Sequence, residues 1–329
     1  MQPLPLLHEE TLCLLRASRN LLAFSGGGDS TALLFLLLSH NIPFDIALVN
    51  YKTRVQSDEE EAYASSLAKH YSKRLFTFTC KLSSENFEHN ARLKRYAFFE
   101  EIIKIHAYDT LLSAHHLGDK LEWFLMQLCK GAGLVEMLGM QEIEVRQEYT
   151  LVRPLLHLSK PVLLAYLHAQ KIAYFTDESN ASCEHLRNHF RHHYATPLLE
   201  AYESGIAKSF SYLKEDSKRL LPLHAKRFDD LFVLPNTKDA LISIRHIDKI
   251  LKQLGILMSA AQRKEILRIR HGVVGGKVAV CIEEETIYIA PYSTITMDKI
   301  FKETCRKCKI PSKIRPYLFT QKIDPNALR

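Results

Sequence analysis

Over the first half of the chain, short apolar runs alternate with longer segments of helical period. Residues 21–24, 45–50, 75–80 and 110–114 are runs of four to six mostly apolar residues, short enough to be buried strands. Between them, 6–19, 31–38, 57–70 and 88–106 read as helices, the third opened by the capping-box pattern Ser57-Asp58-Glu59-Glu60. A further helix is entered from His115 through Trp123, Phe124 and Leu125. Arg153-Pro154-Leu155-Leu156 closes another strand, and Ser159 caps a helix running to about residue 170. Asp177-Glu178-Ser179-Asn180 then leads into a helix that carries Arg187, Asn188, Arg191, His192 and His193. Strand–helix alternation of this kind predicts an α/β fold, a doubly wound parallel sheet with helices on both faces.

Beyond residue 203 the pattern changes. It reads as helix to about 228, then as two short helices over 244–254 and 259–270, the second with a Ser-x-x-Gln cap. Gly275-Gly276 breaks the pattern, and 278–282 with 286–290 form a small β-hairpin around three glutamates. The last forty residues give no clear element. The expected second region is therefore mainly helical with a hairpin.

A chain of 329 residues holds a catalytic domain of about 200 residues and a smaller second one. The division predicted here is 1–206 and 207–329. Charge sharpens it: residues 1–206 carry 20 Lys+Arg against 24 Asp+Glu, whereas 207–329 carry 24 against 13. A balance of −4 followed by +11 points to a polyanionic partner for the second half. The longest apolar run, 32–38, is far too short to span a membrane. Glu9 and Glu10 stand where a secretory signal would be basic, and seven cysteines without regular spacing suggest a reducing cytoplasm. Cys305 and Cys308 form a lone Cys-x-x-Cys pair without the second pair that a zinc site needs.

The candidate chemistry begins at Ser25-Gly26-Gly27-Gly28-Asp29-Ser30, between the first strand and its helix. Three glycines let the backbone turn tightly and bring its N–H groups up to a bulky anion, where the helix dipole adds positive potential. Asp29 and Ser30 stand at the helix start, able to cap it or to reach a metal–phosphate complex. No Lys follows the glycines, so the loop is not of the Walker type. A second group follows the fourth strand: His115, Asp119 and Glu122 are spaced i, i+4, i+7, one face of a helix if that helix starts early enough. Such a face could hold Mg²⁺, a cationic substrate or a proton. Arg187 and Arg191, four apart, could grip phosphates. The glycine loop, Asn50 and His115 all fall at strand carboxyl ends, which predicts one shared site.

Ser25 to Ser30 is the Ser-Gly-Gly-x-Asp-Ser signature of PP-loop ATP pyrophosphatases, and further motifs make the chain resemble the tRNA(Ile)-lysidine synthetase family over about residues 20–290. Val49-Asn50 with Arg54 is similar to a Val-Asn-His-x-x-Arg segment, Tyr51 replacing its His. Asn90-Ala91-Arg92 and Arg95-Tyr96 match Ala-Arg-x-x-Arg-Tyr. His115 to Glu122 resembles His-His-x-Asp-Asp-Gln-x-Glu, with Gly118 at the first Asp and Lys120 at the Gln. Lys130-Gly131-Ala132-Gly133 through Gly139-Met140 resembles a glycine-rich segment of the family, with Glu136 at an internal glycine. Asp177, Ser179-Asn180, Arg187-Asn188 and Arg191 match Asp-x-Ser-Asn…Arg-Asn-x-x-Arg, the most family-specific of these features.

The resemblance implies an adenine-nucleotide alpha-hydrolase-like fold. It implies ATP with Mg²⁺, a tRNA(Ile) with a CAU anticodon and free L-lysine as the reacting partners. The wobble cytidine would be adenylated at its carbon 2 carbonyl, and the lysine amine would then displace AMP. Ser25 to Ser30 would bind ATP, Asp29 would serve the metal, and Asp29, His115, Asp119 and Glu122 would be catalytic. Asp119 and Glu122 would counter the lysine ammonium groups, and Arg92, Arg187 and Arg191 would meet tRNA or phosphate. A PP-loop tRNA thiolase and a tRNA-binding protein with a degenerate ATP site are the competing readings. No membrane is expected to take part, and the oligomeric state stays open, a homodimer included.

Overall fold

The computed structural model describes residues 6–52, 56–80, 87–146, 148–176, 186–222 and 224–328. Arg54, Asp177, Ser179 and Asn180, quoted above, lie outside the described residues. Inter-residue contacts divide the chain into two compact units, parting between Lys214 and Glu215.

The first unit runs α1 (Glu9–Arg16), β1 (Asn20–Phe24), α2 (Gly28–Ser39), β2 (Asp45–Asn50), α3 (Gln56–His70), β3 (Leu75–Thr79), α4 (Phe87–His106) and β4 (Thr110–Leu112). It continues with α5 (Leu117–Cys129), α6 (Leu134–Met137), β5 (Ile143–Val145), β6 (Thr150–Val152), α7 (Lys160–Ala169) and α8 (Leu186–Phe190). A π-helical turn over Arg191–Ala195 leads into α9 (Thr196–Leu220). The sheet order is β3-β2-β1-β4-β6-β5. The first five of these strands are parallel, as expected, and β5 is an antiparallel edge that the sequence pattern did not reveal.

Alternate residues of each strand feed opposite cores, the period-2 rule of a pleated sheet. Leu22, Ile46, Leu48, Leu112 and Val152 pack with Leu33, Leu34, Leu36 and Leu37 of α2 and with Leu163 and Leu167 of α7. Leu21, Ala47, Leu111 and Leu151 pack on the other side with Phe98, Phe99 and Ile103 of α4. Because α2 is buried nearly all round, its sequence is apolar without a polar face. Predicted boundaries shift by a residue or a few. The α3 helix starts at Gln56, so Ser57 lies inside it and is not its cap.

The second unit departs further from expectation. The helix ends at Leu220, short of the expected 228. After α9 come β7 (Lys226–Phe228) and β8 (Leu231–Pro235), then α10 (Ala240–Gln253), α11 (Ala260–Ile269) and β9 (His271–Val274). The predicted hairpin is present as β10 (Val278–Ile282) and β11 (Thr286–Pro291), at the centre of an antiparallel sheet ordered β7-β8-β11-β10-β9. The last forty residues fold as α12 (Lys299–Lys307), α13 (Arg315–Thr320) and a 3₁₀ turn over Pro325–Leu328.

Both faces of this second sheet are covered. Phe232, Leu234, Val278, Val280, Ile287 and Ile289 pack on α10 and α11. Leu231, Val233, Ala279, Cys281, Tyr288 and Ala290 face the core built with α12 and α13. Cys305 and Cys308 belong to that second core as free thiols, and burial pushes Cys305 up to about 11. No helix among the described residues is long and apolar enough to cross a membrane.

Ile289 is fully buried in the second sheet. Ile289→Ala should lower the stability of residues 215–329 by about 2–5 kcal/mol, the range for emptying such a site. Denaturant unfolding combined with hydrogen exchange of the β10 and β11 amides would detect it.

Candidate functional site

In the first sheet β1 is the switch strand: β2 and β3 lie to one side of it and β4 and β6 to the other. The loops leaving the carboxyl ends of β1 and β4 therefore diverge and open a crevice, the place where such sheets bind ligands. The glycine loop leaves β1, and His115 follows β4.

The glycine loop is held by its own atoms. Gly26 has φ +77°, a region that side chains strain to enter, and its carbonyl accepts from the Phe175 N–H at 3.0 Å. The Ser30 hydroxyl donates to the Gly27 carbonyl at 3.0 Å and lies 3.1 Å from the Ser25 hydroxyl. Ser30 is thus turned inward as a staple, and the exposed surface of the loop is Ser25 and backbone. The first N–H groups of α2 have no intrahelical acceptor and provide an anion seat.

Asp29 stands at the start of α2. Its Oδ2 is 3.8 Å from His116 Nε2 and 3.9 Å from Lys160 Nζ. Its Oδ1 is buried without a hydrogen-bond partner among the described residues. One carboxylate with a free oxygen beside a phosphate-sized anion seat suits Mg²⁺, which takes one or two carboxylates and completes its shell with water and phosphate oxygens.

The expected His115–Asp119–Glu122 face needs correction. The helix begins at Leu117, and His116 is its N-cap, so His115 lies before the helix and off its face. The Gly118 N–H donates to His116 Nδ1 at 3.0 Å, while Asp119 Oδ2 accepts the His116 N–H at 2.9 Å. This reciprocal cap leaves Nδ1 as acceptor, so Nε2 carries the ring proton. That nitrogen faces both Asp29 and Asp119 Oδ2, the latter at 3.6 Å. His116, passed over in favour of its neighbour, is the bridging imidazole. The signal was available: a polar residue followed three positions later by an acid marks a helix start. Lys160 was missed as well, and nothing in its local pattern marks it.

His115 is held by Ser113, whose Oγ is 2.9 Å from its Nδ1. Burial lowers its pKa to about 4, with Arg153, Arg187 and Arg92 adding to the effect and Asp119 opposing it. It is therefore a neutral imidazole at physiological pH. Below the ordinary value near 6.5 the unfolded chain binds a proton that the folded chain refuses, so this residue's contribution to stability falls as pH drops from 6.5 towards 4.

Asp119 and Glu122 are 8% and 1% exposed. Burial would raise the Asp119 carboxyl, but His116, His115, Arg191 and the His116 backbone N–H outweigh it and hold the group well below the usual carboxylate range. Arg191 Nη2 donates to Asp119 Oδ1 at 2.9 Å and Arg191 Nε to Glu122 Oε2 at 3.0 Å. Arg187 Nε donates to Glu122 Oε1, and its Nη2 lies 3.8 Å from Asp119 Oδ1. The two acids and two arginines, read separately in the sequence, form one ion quartet. Arg92 is not part of it: it is exposed on α4, over the Tyr96 ring at 4.9 Å.

Lys120 points elsewhere, with its Nζ 4.5 Å from the Phe210 ring centroid in a small cavity that Glu142 and Lys214 also line. Burial lowers its pKa to about 8.

A PP-loop domain model matches residues 6–198. A tRNA(Ile)-lysidine synthase of Wolinella succinogenes is 47% identical over 312 residues, covering 94% of this chain and 95% of its own. The Campylobacter jejuni enzyme of that name is 44% identical, covering 97% and 98%, and the Helicobacter pylori one 42%, covering 93% and 91%. The chain belongs to the tRNA(Ile)-lysidine synthase family. Its PP-loop domain makes ATP its nucleotide, and the thiolase alternative is not favoured.

Membership puts the departures at Gly118 and Lys120 in a physical light. A Cβ at Gly118 would sit 2.7 Å from His116 Cε1 and 2.9 Å from Nδ1. The missing side chain is what lets the ring fold back over its own helix start. Gly118→Asp, which installs the residue in the pattern that this stretch resembles, should therefore displace His116, lower stability by about 1–3 kcal/mol and reduce turnover. Denaturant unfolding and pyrophosphate release would be measured together. Unchanged stability with equal or faster turnover would mean that the ring moves aside freely.

Proposed function

We propose that the chain joins the side-chain amine of free L-lysine to carbon 2 of the wobble cytidine in CAU-anticodon tRNA(Ile), in the cytoplasm, converting ATP to AMP and pyrophosphate. The observation that carries the reading is the ion quartet, one crevice away from Asp29 and the glycine loop. Family membership along nearly the whole chain supports it.

The loop N–H groups and the start of α2 hold the ATP phosphates in line for attack by the cytidine carbonyl oxygen. Mg²⁺ at Asp29 would neutralise charge on those phosphates. The His116 Nε2–H, between Asp29 and Asp119, donates towards charge developing in the crevice. The incoming ammonium loses its proton to solvent before it attacks carbon 2, because an imidazole with a pKa of about 4 is too weak a base to take it. The neutral His115 accepts a hydrogen bond from the amine instead.

Lysine arrives with two ammonium groups and one carboxylate. The quartet has no net charge and contains both partners such a molecule needs. An ammonium group can exchange for a guanidinium on Asp119 or Glu122, and the freed guanidinium can take the lysine carboxylate. Charges change partners and none is left bare, which is how a buried pair can open at tolerable cost.

Two expectations follow from this arrangement. Asp29→Ala should abolish tRNA-dependent pyrophosphate release while leaving the thermal melt near that of the parent. Glu122→Gln, of the same size, should raise the lysine KM several-fold and the ATP KM little. The reverse pattern for Glu122 would assign it to the nucleotide.

Residues 207–329, with their balance of +11, would hold the tRNA body through phosphates. Lys299, Arg306 and Lys309 are exposed there. Replacing all three with Glu should weaken tRNA binding and flatten its log–log salt dependence by about 0.7–0.9 for each phosphate no longer neutralised. Filter binding across a salt series measures both. Full affinity and slope in a folded variant would leave those residues as a solvated face.

A further inference from the structure

On the far side of α5 from the quartet, the cavity beside Lys120 contains a group that the reaction does not use. His8, Glu142 and His157 each offer a ligand atom, and these atoms lie within 4.8 Å of one another. Among the described residues they are the one His, Cys, Asp or Glu trio so arranged. The cavity volume is about 70 Å³, room for an ion and a water molecule.

The hydrogen bonds around the trio have the pattern of a metal site's outer shell. His157 Nε2 donates to the Leu6 carbonyl at 2.8 Å, which leaves Nδ1 as the lone-pair nitrogen. That Nδ1 is buried with no hydrogen-bond partner among the described residues. An imidazole tied through one nitrogen to a backbone carbonyl, its other nitrogen free, is how metal-binding histidines are oriented. The Glu142 carboxylate is buried and receives the Thr11 hydroxyl on Oε1. His8 Nδ1 lies 3.0 and 2.9 Å from the two oxygens of that carboxylate, and its ring stacks on His157 with centroids 3.8 Å apart.

We infer that His8, Glu142 and His157 form a binding site for a divalent ion of the zinc class, separate from the ATP crevice. Two imidazoles and one carboxylate, with water in the fourth position, are a donor set that Zn²⁺ and its neighbours accept and that Mg²⁺ or Ca²⁺ does not favour. The edge of a zinc tetrahedron is about 3.3 Å, so the trio must draw together. His8, 49% exposed, is the member able to move. Lys214 Nζ, 3.4 Å from Glu142 Oε2, competes for the same carboxylate. The ion would tie the segment before α1 to residues more than 130 positions away, and its effect does not depend on the ligase reading.

The test is calorimetric titration of the chelator-stripped full chain with Zn²⁺ alone, with Co²⁺ as a spectroscopic stand-in. One ion per chain should bind, with the intense visible bands of tetrahedral Co²⁺ and a raised melting temperature. His157→Asn and His8→Ala should each weaken binding by at least about tenfold, the lower end of what even an outer-shell loss causes. Exposed His8 guards against a folding defect at the buried positions. Lys214→Met should tighten binding several-fold. Half-buried His189 and exposed His193, whose rings are 4.5 Å apart, are the competing surface site. His189→Ala with His193→Ala should leave the tight site unchanged. Absent binding, or binding that survives His157→Asn and His8→Ala but is lost with the 189/193 pair, overturns the inference.

Discussion

Two carboxylates buried in the first turns of one helix are a severe electrostatic demand. Asp119 and Glu122 lie inside the first unit, where a bare charge would cost several kcal/mol. The guanidinium groups of Arg187 and Arg191 meet that demand, and the cap from His116 meets the rest. The segment around residues 187–191 is thereby anchored to α5 by charge. Apolar packing supports it: Leu117 and Leu121 share a cluster with Leu138, Ala195 and Phe210. The π-helical turn at 191–195 sits where the ion pairs end and that packing begins. Placing an extra residue in one turn lets Arg191 and Ala195 satisfy different neighbours.

The sheet explains why the glycine loop stands beside this cluster. Strands β1 and β4 are hydrogen-bonded neighbours although ninety residues of chain separate them, Asn20 pairing with Thr110. Their outgoing loops part at the switch point, and the space between is bounded by Asp29 on one side and His116 with Asp119 on the other. Asn20 secures the opposite end of the same pair. Its side chain donates to the Leu15 and Pro43 carbonyls and accepts from the Thr110 hydroxyl. Order at the amino ends of the strands thus supports geometry at their carboxyl ends.

Much of this was legible in the residues. The run at 45–50 was placed to the residue because a central strand buried on both faces is apolar throughout and ends at polar neighbours. The glycine loop was legible because its chemistry is local. His115 falls off the face with Asp119 and Glu122 that its spacing suggests, because spacing alone assumes where a helix begins, and here the cap moves the start past it. Arg187 and Arg191 were read as phosphate grips because their partners lie some seventy positions earlier, beyond any local pattern. In the second unit, Lys226–Phe228 is a strand with two basic residues and no alternation worth reading. Its place follows from Val233 and Phe232 of the neighbouring strand. The two cysteines of the Cys-x-x-Cys pair needed no ligand at all, being core residues between helix and sheet.

Gly118 bears on how signatures of this kind are scored. A pattern treats each of its positions as an independent vote, and here a missing carboxylate counts against the chain. The ring of His116 occupies the volume that the carboxylate's Cβ would need. The two positions are thus one steric variable with two states, a side chain at one residue or a folded-back ring at the other. Scored jointly, the glycine is the state that the folded-back ring requires.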